Sequence, residues 1–143
     1  MSNRLKSISL LLVAFSAAVF AFAVERQPSP DGAKVYIISP ADGAVVSETF
    51  TVRFGLKGMG VAPAGTNFPN TGHHHLLIDA ESLPPLDTPM PMTESLKHFG
   101  GGQTEVELTL PKGEHTLQLL LGDYLHIPHE PAVVSKKITI TVE

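Results

Sequence analysis

The chain has 143 residues, with 10 Lys and Arg against 14 Asp and Glu for a formal charge of −4, seven His and no Cys. Such a mildly acidic balance gives no electrostatic case for nucleic acid or an anionic membrane as partner. Without Cys there can be no disulfide, no thiolate metal site, no cysteine nucleophile and no lipid-attachment residue of the bacterial lipoprotein kind.

In chain order, Arg4 and Lys6 precede an almost wholly apolar run from Ile8 to Phe22, and Ala21-Phe22-Ala23 fits a small-x-small cleavage site. This is the pattern of a secretory signal over residues 1–23. The run is shorter than the roughly 20 residues of a membrane helix, so export with cleavage, and no membrane insertion afterwards, is expected. Removal of these 23 residues leaves 120, enough for one domain, and loses two positive charges, taking −4 to −6. Residues 24–33, with Pro28 and Pro30, read as a tether, and residues 34–143 as the domain.

Short segments with strand character follow, separated by turn residues. Lys34 to Ser39 is the first, closed by Pro40-Ala41-Asp42-Gly43. Glu48 to Lys57 alternates, with Phe50, Val52, Phe54 and Leu56 on one face. Gly58 to Gly72 reads as loop, and His73 to Asp79 as the next strand. Glu81 to Gly102 is irregular and carries Pro84, Pro85, Pro89 and Pro91, which do not suit a central strand. Gln103 to Leu110 puts Val106, Leu108 and Leu110 together, and Glu114 to Gly122 does the same for His115, Leu117, Leu119 and Leu121. Val133 to Val142 places Val134, Ile138, Ile140 and Val142 in one parity. The whole predicts an all-β fold, an immunoglobulin-like antiparallel β-sandwich of about seven strands.

Within that fold the histidines acquire positions. Side chains alternate between the faces of a strand, so His73 and His75 share one face, while His74 joins Leu76 and Ile78 on the other. The connections after the second, before the fourth and after the fifth predicted segments gather at one pole of such a sandwich. His73 and His75 begin a strand there, His98 lies just before a strand there, and His126 and His129 lie in the last long connection. The candidate metal ligands are therefore His73, His75, His98, His126 and His129. Neutral imidazoles without thiolates suit copper or zinc. Asp123 or Glu130 could add a carboxylate, and Met90 and Met92 offer thioethers suited to copper(I), though loop packing is the expected role of the methionines. His74 reads as an inward, hydrogen-bonded histidine. His115, two residues after Gly113, reads as a corner residue of the kind that bonds back to the backbone, at the opposite pole.

Gly72-His73-His74-His75-Leu76-Leu77-Ile78-Asp79, His98-Phe99-Gly100-Gly101-Gly102-Gln103-Thr104-Glu105, Gly113-Glu114-His115-Thr116-Leu117-Gln118-Leu119 and His126-Ile127-Pro128-His129 occur in that order. Together they resemble the bacterial exported family known as domain of unknown function 4399, over roughly Lys34 to Val142. The resemblance implies a small secreted bacterial β domain and supplies no activity. The residues themselves point to a periplasmic or secreted His-rich metal-binding protein that handles copper for storage, delivery or sensing, with the metal ion as its partner. The alternative is a metal-free module that uses the same pole to bind a protein of the cell envelope. No Gly-x-Ser-x-Gly elbow, cysteine nucleophile or phosphate loop marks an enzyme.

Overall fold

The computed structural model describes residues 24–143, and the expected signal segment lies outside the described residues. Nine strands form there, in the order β1 Lys34–Ser39, β2 Val45–Val46, β3 Thr49–Lys57, β4 Gly60–Val61, β5 Thr71–Ile78, β6 Leu96–His98, β7 Glu105–Thr109, β8 Gly113–Gly122 and β9 Ile138–Val142. They make two sheets. One has the order β1-β3-β7, and the other β2-β9-β8-β5-β4 with β6 also paired to β5. Most pairs are antiparallel; β2 with β9 and β4 with β5 are parallel. The all-β sandwich expected from the alternating segments is the fold.

The core lies between the sheets. Val52 and Phe54 of β3, Leu76 and Ile78 of β5, Leu108 of β7, Leu117, Leu119 and Leu121 of β8 and Ile140 of β9 all point into it. Leu117, Leu119 and Leu121 are fully buried, each contributing about 1.5–3 kcal/mol by leaving water. This core pins the register of β5. A slip of one residue would send Leu76 and Ile78 outward and exchange His74 for its neighbours.

The outer face of the six-stranded sheet is also covered. Leu77, Met90, Leu96 and Leu120 form a second buried cluster there, joined by Ala80, Leu83, Leu86 and Ala132. The proline-rich stretch that reads as irregular in sequence thus serves as a cover over the sheet. It leaves only Thr71 of β5 less than buried, so β5 has a core on each side. This stretch also contains β6, whose Leu96, Lys97 and His98 face Leu77, Leu76 and His75.

The last expected segment is shorter than its alternation suggests. Leu120 faces Val134 in an isolated bridge, while Leu117 faces Ile138. Three steps along β8 thus match four along its partner, which is a bulge of one residue. It turns Val134 out to 36% exposure and Val133 in to 3%. The segment expected as a tether is bonded to the fold. Ser29 N donates to Glu130 O at 3.1 Å, Glu130 N to Gln27 O at 2.9 Å, and Arg26 Nε to Pro128 O at 2.9 Å.

Candidate metal centre

His73 and His75 project from β5 onto the outer face of the sheet, the side opposite the main core. Backbone pairing sets His98 directly beside His75 from β6. His126 comes from the loop after β8, and its backbone is held in the left-handed region at φ 66°, a conformation that costs about 1 kcal/mol or more and needs support. The support is Asp123. Its buried carboxylate Oδ1 accepts from Leu125 N at 2.8 Å and Ile127 N at 2.9 Å, while Asp123 O accepts from His126 N at 2.9 Å. Asp123 is therefore a loop-shaping residue, the Asx turn its spacing permits. Glu130, the other carboxylate considered for the site, is exposed and paired with Arg26.

These three segments bring four rings together. One ring nitrogen each from His73, His75, His98 and His126 lies within 4.8 Å of all the others. His73 Nε2 stands 3.0 Å from His126 Nδ1 and 3.1 Å from His98 Nε2. Nitrogens bound at roughly 2.0–2.1 Å around one tetrahedral zinc stand about 3.3 Å apart, so small ring movements would close the set on an ion. Among the expected ligands, His129 stands apart from this group. Its Nε2 donates to Thr71 O at 3.1 Å, tying the loop to the start of β5.

Hydrogen bonding alone serves these rings badly. His73 Nε2 takes part in both short contacts, yet one ring nitrogen carries either one proton or one lone pair. Among the described residues, His73 Nδ1 and both ring nitrogens of His75 are buried without a partner in hydrogen-bonding geometry. Such atoms normally find partners, and leaving one without costs about 1–3 kcal/mol. A cation would engage one of the two His75 nitrogens that are left without a partner, the other keeping its proton. Three of the rings, those of His73, His75 and His98, are also kept neutral. Burial, with the neighbouring rings adding to it, lowers His73 to about 4 and His75 to about 3. His98 is lowered by burial and then by His126. Neutral imidazole is the ligating form, so these residues are ready to bind at neutral pH.

Two glycines make room for the rings. A Cβ on Gly100 would lie 2.3 Å from His98 Cε1, and one on Gly122 would lie 2.6 Å from His75 Cε1. Neither requirement is visible in the spacing of the histidines. The burial of His73 and His75, which a strand pair at the surface need not have, is likewise the work of the covering loops.

The family model for a domain of unknown function (DUF4399) matches residues 52–143, more than half of the chain. This protein belongs to that family. All four clustered histidines of the DUF4399 domain fall within the matched stretch, as does Asp123. No curated protein matches the chain. Among solved structures, the fibronectin(III)-like modules of CbhA from Clostridium thermocellum align at 12% identity over 76% of this chain and 92% of theirs, with a TM-score of 0.34.

The two other histidines have structural roles. His115 Nδ1 lies 2.7 Å from Asp79 Oδ2 and its Nε2 donates to Pro111 O at 2.8 Å. That is the backward corner bond expected of it, and the Asp79 hydrogen bond raises its pKa. His74 packs inside the core against Phe54, ring centroids 5.1 Å apart. Inward placement was expected, but its hydrogen bonding was not met. The Gln103 backbone offsets part of the burial that lowers His74 to about 4, yet among the described residues neither ring nitrogen has a partner in hydrogen-bonding geometry.

Proposed function

We propose that this DUF4399 protein binds one copper ion on His73, His75, His98 and His126 and holds it outside the cytoplasm for storage, delivery or sensing. The observation that carries this reading is the convergence of four ring nitrogens from three separated segments within 4.8 Å. The unpartnered ring nitrogens of His75 and the lowered basicity of His73, His75 and His98 support it. Copper(II) is favoured over zinc because an imidazole set binds it more tightly in the divalent series. His73 and His75 provide a rigid half of the site, while His98 and His126, only partly buried, provide the half that opens for exchange. The exported location rests on the leader pattern of residues 1–23.

Isothermal titration of tag-free protein with copper(II), and separately with zinc, tests the proposal. One ion per chain is expected, with affinity lost in the His73→Ala, His75→Ala double variant. Binding no tighter than that of the double variant would end the metal reading. Fractionation of the producing cell, with metal analysis of the protein recovered outside the cytoplasm, tests the location and the identity of the ion.

A further inference from the structure

Above the four imidazoles lies a cavity of about 240 Å³ lined by Met90, Met92, His98 and His126. Its residues come from the covering segment, β6 and the loop after β8. Met90 N donates to His126 O at 3.0 Å, which fastens the methionine segment to the loop that carries a ring of the cluster. The Met90 methyl and the His75 ring meet over Gly122, where a Cβ would lie 2.8 Å from Met90 Cε and 2.6 Å from His75 Cε1. Met90 thus belongs to the second apolar cluster and stands beside the His75 ring.

Packing accounts for Met90, which is 6% exposed, but not for Met92, which is 75% exposed at the same cavity. Two thioethers and two imidazoles around one opening form a soft donor set, the kind that selects copper(I) over zinc or copper(II). We propose that Met90, Met92, His98 and His126 form a copper(I) site at the mouth of the cluster. It shares His98 and His126 with the four-imidazole site, so the two positions exclude one another. The pole accepts copper in either oxidation state, as a divalent ion on four rings or as copper(I) on two rings and two thioethers. No electron transfer within the protein is required. The mouth rests on the metal-binding reading of the cluster beneath it, and adds to it a second donor set and a second oxidation state.

Anaerobic competition for copper(I) against bathocuproine disulfonate, paired with zinc titration of the same samples, is the test. In Met90→Leu, Met92→Leu, a near-isosteric change, copper(I) affinity should fall by roughly tenfold or more with zinc affinity unchanged. Met92→Leu alone, at an exposed position that leaves folding untouched, should show part of the loss. Saturating zinc should suppress copper(I) uptake through the shared rings. With methyl-labelled methionine, the Met90 and Met92 ε-methyl resonances should shift on adding copper(I) and not on adding zinc. Unchanged copper(I) affinity in both variants, while zinc still binds, overturns the methionine site alone. Failure of the unaltered protein to bind zinc or copper(II) overturns the four-imidazole reading instead.

Discussion

Single residues at this pole are committed in ways that their chemistry alone does not reveal. His129 is buried like its neighbours, yet its Nε2 proton is spent on the Thr71 carbonyl. His126 faces the other rings only because Asp123 holds its backbone in the left-handed region. Gly100 offers the cleanest separation of site from fold. It is partly exposed, and a Cβ there would stand 2.3 Å from His98 Cε1 and 2.6 Å from His98 Nε2. Gly100→Ala should therefore push the His98 ring out of the cluster while leaving both apolar cores intact. Metal affinity is expected to fall by roughly 10–100-fold, as when the support of a ligand is lost, with the melting temperature of the metal-free protein moved by only a few degrees. Titration and thermal unfolding of the same preparation check this, and unchanged affinity would remove His98 from the ligand set.

At the scale of elements, β5 is the hinge between fold and site. One face builds the main core through Leu76 and Ile78, and the other presents His73 and His75. That division was legible from the period of two, as were the bounds of β1 and the apolar faces of β3, β7 and β8. The two-residue strands β2 and β4 carry no periodicity to read, and β6 hides behind four prolines. The reversal of Val133 and Val134 follows from a bulge that no alternation pattern announces. The pole shared by the histidines was legible from topology; which four of the five rings lie within 4.8 Å of one another was not, since His129 turns to the Thr71 carbonyl. Residues 26–29 were also opaque, since their composition suits a tether while their hydrogen bonds run to residues 128–131. Arg26 reaches Pro128 O, His129 O and the Glu130 carboxylate. Arg26→Ala should loosen the loop that carries His126 and His129 at a cost of about 1–3 kcal/mol for the carbonyl bonds it abandons. Hydrogen exchange should quicken at the Glu130 amide, and metal should dissociate faster. Full retention of amide protection would show that the strap does not hold the loop.

For the molecule as a whole, the buried rings set how stability responds to pH. His73 and His74 are lowered to about 4 and His75 to about 3, burial being the first cause in each. In the unfolded chain these groups titrate near 6.5, so between pH 6.5 and about 4 the unfolded state binds more protons than the native one. Stability must then decline as the pH falls through that window. Each ring held neutral contributes about 1.4 kcal/mol per pH unit, less where the rings already repel one another's protons. His115 acts in the opposite direction. Its pKa is raised by Asp79, so its contribution is present below pH 6.5 and is lost as the pH rises through its folded value. As one ring near the surface, it is outweighed by the three buried ones. Metal-free protein should consequently melt at progressively lower temperature from pH 7 to pH 5. Saturating zinc should delay that decline to lower pH, because a bound ion keeps protons off His73 and His75. His74 allows the core to be separated from the site. In His74→Leu both unsatisfied ring nitrogens disappear from the core at similar volume, which should leave stability at pH 7 equal or higher and make the acid slope shallower. Zinc affinity should not change, since His74 faces away from the cluster. A metal-free melting temperature that stays level from pH 7 to pH 5 would mean that these imidazoles do not remain neutral in the fold.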